Sequence, residues 1–130
     1  MSQRPYESIP QAVGPYRQAV EASGLVFVSG QIPVDPKTNH LVTDNIRDAT
    51  RQCLKNLTAV LGDVGLELRD VAKTTIYLAD IKDFGEMNEA YAEFFNDPYP
   101  ARACVQVTAL PKGASVEIDA IAVRKSGETR

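Results

Sequence analysis

A chain of 130 residues, 44% hydrophobic and 24% charged, makes one domain over 1–130 that buries roughly two-thirds of its unfolded surface and needs no disulfide or metal to fold. Its net charge of −3 is too mild for disorder and argues against a nucleic-acid partner; the one close basic pair, Arg124 and Lys125, is expected in a frayed, solvated end. Cys53 and Cys104 lack CxxC spacing, the start MSQRPYESIP lacks the build of an export signal, and no apolar run nears the roughly 20 residues that span a bilayer, so a reducing, cytoplasmic protein is expected.

In chain order, residues 1–15 read as irregular. Segments 16–22 and 25–29 flank Ser23-Gly24, a turn signal, and predict a β-hairpin. Gln31 to Leu41, with Pro33, Pro36 and Asn39, reads as a connection carrying a short strand near its end. From Asp44 the period changes: Ile46, Ala49, Cys53, Leu57, Val60, Leu61 and Val64 recur at three- and four-residue steps, the stripe of a helix lying on a core. Thr43 or Asp44 is expected to cap it, and Gly62 and Gly65 to end it. Residues 70–79 are strand-like. A second helix follows, with Asp83 and Glu86 at capping-box spacing and Phe84, Met87, Tyr91, Phe94 and Phe95 as its buried stripe, until Pro98 and Pro100 stop it.

Segments 102–109 and 115–124 are also strand-like, and Pro111-Lys112-Gly113 between them favours antiparallel pairing. Alternation then gives an apolar face of Ala103, Val105 and Val107 opposite Val116, Ile118, Ala120 and Ala122, suited to receive the helices. The other face carries Arg102, Cys104, Gln106, Glu117 and Asp119. In this register Cys104 lies opposite Asp119 and Gln106 opposite Glu117, so Arg102 and Glu117 face the same way on neighbouring strands. Two readings of that polar face stand open. It is an ordinary solvated sheet surface, the commoner case, or it is a site in which an arginine grips a substrate carboxylate and a glutamate relays protons to water.

Other chemistries lack their residues. His40 is the one histidine, so neither a metal cluster nor a histidine-activated nucleophile is expected, and the glycine-rich nucleotide loops GxGxxG and GxxxxGK[ST] do not occur.

Gly14-Pro15-Tyr16 with Gln18-Ala19, Ser29-Gly30-Gln31-Ile32-Pro33, Lys73-Thr74-Thr75, Asp83-Phe84 with Asn88 and Tyr91, Pro100-Ala101-Arg102-Ala103-Cys104-Val105, and Glu117-Ile118-Asp119-Ala120-Ile121-Ala122 resemble, in order and spacing, the RidA/YjgF family. The resemblance implies an α+β, chorismate-mutase-like subunit, one mixed sheet with two helices on one face, assembled as a homotrimer with three sites at the subunit clefts. It implies cofactor-free hydrolysis of reactive 2-imino acids, iminobutanoate and iminopropanoate, to 2-keto acids and ammonia. Arg102 would hold the carboxylate, Glu117 would position or activate the water, and Gly30 and Cys104 would contribute backbone groups. Tyr16 and Ser29 would line the pocket, with Phe84 and Asn88 either in it or stabilising the second helix. Arg17 and Asp119, where many relatives carry a second glutamate, depart from the pattern. Relatives also suggest two alternatives: a carboxylate-sensing or partner-binding regulatory module, and an RNA-cleaving, translation-inhibiting activity that the acidic balance disfavours.

Overall fold

A computed structural model describes residues 14–125, so the expectation for 1–15 lies almost wholly outside the described residues. The first expected hairpin forms, with β1 (Ala19–Ala22) antiparallel to β2 (Leu25–Gln31). Ser23 and Gly24 both take positive φ, 54° and 79°, the two-residue turn whose twist matches the paired strands. The proline-rich connection holds a small separate ribbon, β3 (Val34–Asp35) with β4 (His40–Leu41).

Helix α1 (Ile46–Asp63) starts later than the cap expectation. Asn45, not Thr43 or Asp44, is the N-cap, its Oδ1 accepting from Asp48 N–H at 2.8 Å. Gly65 ends the helix at φ 79°, whereas Gly62 lies within it. Arg124 is no frayed residue: its Nη2 donates to the Val64 carbonyl at 2.6 Å, closing the α1 C-terminus, and its Nε pairs with Glu21 at 2.9 Å. The expected apolar stripe is buried save for partly buried Val64, and Leu54 joins it.

β5 (Val71–Leu78) matches its expected range. Helix α2 (Phe84–Tyr91) follows and stops well short of Pro98. Asp83 is its N-cap but makes no side-chain cap bond, so the capping box does not form. Phe84 leaves the buried stripe and is 37% exposed, while Met87, Tyr91 and Phe95 are buried. Arg47 of α1 bridges Glu86 and Glu89 of α2, and Arg51 bridges Glu93 just beyond it, aligning the two helices through solvent-facing pairs of modest individual weight.

The main correction concerns the last two strands, β6 (Ala101–Gln106) and β7 (Val116–Val123), which do not pair. The five-stranded sheet runs β1-β2-β7-β5-β6, with β5 parallel to β6 and antiparallel to β7. The parallel pair needs a crossover, which α2 supplies. Pro111-Lys112-Gly113 does turn, with Lys112 and Gly113 at φ 58° and 73°, but the connection passes the end of β5, where Val107 N–H donates to the Leu78 carbonyl and Ala79 N–H to that of Ser115. A hairpin reading assumes that sequential strands are neighbours; the inserted strand breaks that assumption.

The insertion also changes the faces. Ile76 of β5 lies between Cys104 and Ile118, and Tyr77 between Val105 and Glu117. Arg102, Cys104 and Gln106 therefore share the helix-covered face with Val116, Ile118 and Ala120, while Ala103 and Val105 share the helix-free face with Glu117 and Asp119. Cys104 is not opposite Asp119, nor Gln106 opposite Glu117. A one-residue difference in register is enough to reverse a strand's faces. The core lies between α1 and the central strands, where Leu54, Leu57, Leu61, Ile76, Leu78 and Ile118 are fully buried. The fold is α+β, two helices on a mixed sheet.

Candidate active site

Glu117 is the second residue of β7, on the helix-free face, opposite Tyr77. Beside it β2 carries a bulge: Val28 pairs with Ala120 and Gln31 with Ile118, so Ser29 and Gly30 together oppose Asp119. The bulge brings the Gly30 backbone against the glutamate. A Cβ at Gly30 would lie 2.0 Å from Glu117 Oε2 and 2.7 Å from its Cδ, so only glycine leaves room for the carboxylate. Tyr16, Ser29, Gly30, Ile32, Pro111 and Glu117 line a cleft of about 360 Å³.

Two buried amides hold this corner. Gln31 Nε2 donates to Gln18 Oε1 at 2.8 Å and to the Ser29 carbonyl at 3.0 Å, while Ser29 Oγ donates to the Arg17 carbonyl at 2.6 Å. Asn56 of α1 donates to the carbonyls of Ile32 and Val34, at 3.2 and 2.9 Å. Burial raises the Glu117 carboxyl above the ordinary glutamate range, and the charge of Asp119 adds to the shift. Asp119 accepts a hydrogen bond from the Tyr77 hydroxyl at 3.0 Å.

Arg102 belongs to a different corner. On edge strand β6 its guanidinium lies over the Tyr91 ring, 4.9 Å from the centroid, and 5.5 Å from that of Phe84. Its Nη1 donates to Asn88 Oδ1 at 2.6 Å. Phe84, Asn88 and Tyr91 share one face of α2, so about two helical turns hold the cation. The Tyr91 hydroxyl and Thr74 Oγ1, both buried, share a hydrogen bond of 2.8 Å that anchors the ring. Asn88, Tyr91, Ala92, Tyr99, Pro100 and Arg102 line a second cleft of about 350 Å³.

The expected site residues thus fall into two groups. Tyr16, Ser29, Gly30 and Glu117 come together, as do Phe84, Asn88 and Arg102, and the sheet separates the groups. Cys104 follows Arg102 but packs against the core; burial pushes its thiol up, opposed by the arginine's charge, so the protonated and weakly nucleophilic form dominates at neutral pH. Tyr91, Thr74, Gln31 and Tyr77 act as supports to which the sequence reading assigns no role in the site. Gln31, Thr74 and Tyr91 stand within the quoted motifs, and Tyr91 also has helical spacing from Phe84 and Asn88, whereas Tyr77 carries no such signal. No group of three or more metal-ligating side chains occurs among the described residues.

The endoribonuclease L-PSP family model matches residues 6–124. A RutC family protein of Pyrococcus horikoshii is 49% identical, the match covering 92% of this chain and 94% of that one. A 2-iminobutanoate/2-iminopropanoate deaminase of Salmonella typhimurium is 45% identical, with the same shares covered. The solved structure of Escherichia coli TdcF with bound serine superposes with a TM-score of 0.86 at 43% identity, over 92% of this chain and 95% of that one. Order of motifs, fold and relatives agree, and the chain belongs to the endoribonuclease L-PSP family, the family of YjgF and RidA.

Proposed function

We propose that this chain is a 2-imino acid deaminase, converting 2-iminobutanoate and 2-iminopropanoate with water into 2-keto acids and ammonia, and that each site is completed by a second copy. One observation carries this reading. A carboxylate-gripping corner and a proton-transfer corner lie on opposite faces of one subunit, so the Arg102 cleft of one copy has to meet the Glu117 cleft of another. A ring of three copies, the assembly implied by the sequence resemblance, does this with closed symmetry and three equivalent sites.

In such a site Arg102 takes the substrate carboxylate through its guanidinium N–H donors, with Asn88 and the two rings fixing the plane of the fork. The iminium carbon is already electrophilic, so catalysis asks for orientation and proton transfer. Water adds to that carbon and gives a proton to Glu117; the resulting carbinolamine takes that proton on nitrogen, and as the C–N bond breaks the hydroxyl passes its proton to the regenerated Glu117 carboxylate, leaving the 2-keto acid and ammonia, which departs as ammonium with the proton from Glu117. Gly30 and Cys104 offer backbone groups, while Tyr16 and Ser29 close the wall. No cofactor enters this scheme.

The relative named a 2-iminobutanoate/2-iminopropanoate deaminase and the serine-bound TdcF structure support a small carboxylate ligand with nitrogen on the adjacent carbon. RNA cleavage, suggested by the family's description, fits the net charge of −3 poorly. The test is to generate 2-iminopropanoate with an amino-acid oxidase in the presence of semicarbazide. Added protein should divert the imine from semicarbazone to pyruvate; trapping that proceeds unchanged sinks the proposal.

A further inference from the structure

We infer that Tyr77 and Asp119 are positioning residues for Glu117: they fix a second negative charge on its sheet face, so that Glu117 is the carboxyl that exchanges a proton with the reacting water. The inference rests on the reading of Glu117 as the proton-transfer group.

Geometry carries it. Glu117 and Asp119 are two residues apart on β7 and point the same way, about 6.6 Å apart along the strand. The Tyr77 Cα lies opposite Glu117, yet its hydroxyl reaches diagonally to Asp119 Oδ2 at 3.0 Å. The phenol has one proton to donate, and it goes to Asp119. No donor among the described residues reaches the Glu117 carboxylate. The two neighbouring carboxyls therefore differ in their surroundings: Asp119 has a donor held against it and Glu117 has none.

The other groups facing Glu117 do not offset this. The Gly30 backbone and Tyr16 border it in the cleft, and Lys73, on the same face of β5, lies opposite Ile121, beyond Asp119. Cys53, wholly buried on α1, stays a neutral thiol, pushed well up by burial and further by Glu117. Burial and the Asp119 charge both raise the Glu117 carboxyl. A base that takes a proton from water and returns it to a leaving nitrogen works best when its proton affinity is close to that of the medium, and a fixed neighbouring charge moves a glutamate that way.

The experiment is a carbon NMR titration of the side-chain carboxyls in the intact protein, run beside the pH dependence of kcat/KM for imine hydrolysis. In Asp119→Asn both the Glu117 midpoint and the acid limb should move to lower pH. Asp119→Glu should leave both near wild type, and Tyr77→Phe, which removes only the anchoring hydroxyl, should move both part of the way. A Glu117 midpoint unchanged in Asp119→Asn overturns the inference, as does a shifted midpoint with an unmoved acid limb. Should Asp119→Asn fail to fold, Tyr77→Phe decides by the same two readouts. Wild type that titrates but hydrolyses no imine refutes the deaminase reading instead, while the titration still decides whether the pair controls Glu117.

Discussion

Arg102 and Glu117 project from opposite faces of the same sheet, with β5 between their strands. If one site needs both, a single subunit cannot supply the pair to it. Arg102→Ala and Glu117→Gln should each lose activity on the order of 100-fold. Unfolded together in equal amounts and refolded, the two inactive variants should regain about a quarter of wild-type activity, because that fraction of randomly formed contacts joins two intact corners. Separate refolding is the control, and a mixture no more active than its parts excludes a site shared between copies.

Gly30→Ala tests the close approach at the bulge. The added methyl group would overlap the Glu117 carboxylate, and because Gly30 does not require positive φ, the backbone itself accepts alanine. Overpacking of this kind costs about 1–3 kcal/mol when neighbours cannot move. Here the glutamate can swing away, so thermal stability should fall by less than that while turnover drops sharply. A variant with full turnover would show that the position of Glu117 against Gly30 has no part in the chemistry.

The raised Glu117 carboxyl has a consequence for stability. Its protonated form is favoured on folding, so this contribution is fully present below the unfolded-state pKa and is lost as pH rises through the higher folded-state pKa. Glu117→Gln escapes that loss. The variant should melt at a higher temperature than wild type near neutral pH, with the gap closing in acid. A melting-temperature difference independent of pH would remove the electrostatic explanation, and the pattern would place function and stability in opposition at this residue.

Tyr91 separates anchoring from cation contact. Tyr91→Phe keeps a ring under Arg102 but leaves the buried Thr74 hydroxyl without its partner, an expected loss of about 1–3 kcal/mol in urea unfolding with KM little changed. Tyr91→Leu removes the ring and should raise KM for the imino acid more than it lowers kcat. Equal KM values in the two variants would mean that the ring does not orient the guanidinium.

The sequence was most readable where a signal is local. The stripe of α1, the Ser23-Gly24 turn and the β-branched run of β5 each depend on a few neighbouring residues, and all three appear within a few residues of their expected bounds. Alternation within one strand was equally sound: Arg102 and Cys104 do share a face, as do Glu117 and Asp119. What failed was the relation between strands. Pairing β6 with β7 looked natural because a turn joins them, and nothing local to either strand reveals that β5 lies between. The site residues themselves came from the order of motifs, whereas Tyr77 and Tyr91 read as strand and core, since each contributes through a partner on another element.

The buried amides of Gln31 and Asn56 couple the Gly30 bulge to the longest helix. Asn56 is enclosed on α1 and holds two carbonyls of the segment that follows the bulge, so that segment cannot peel away without breaking into the core. Hydrogen exchange of the amides around residues 30–34 should therefore follow cooperative unfolding of the whole domain rather than the rapid local opening usual for a loop. A corner built in this way keeps its shape between turnovers, leaving motion to the substrate and to the surface that meets the neighbouring copy.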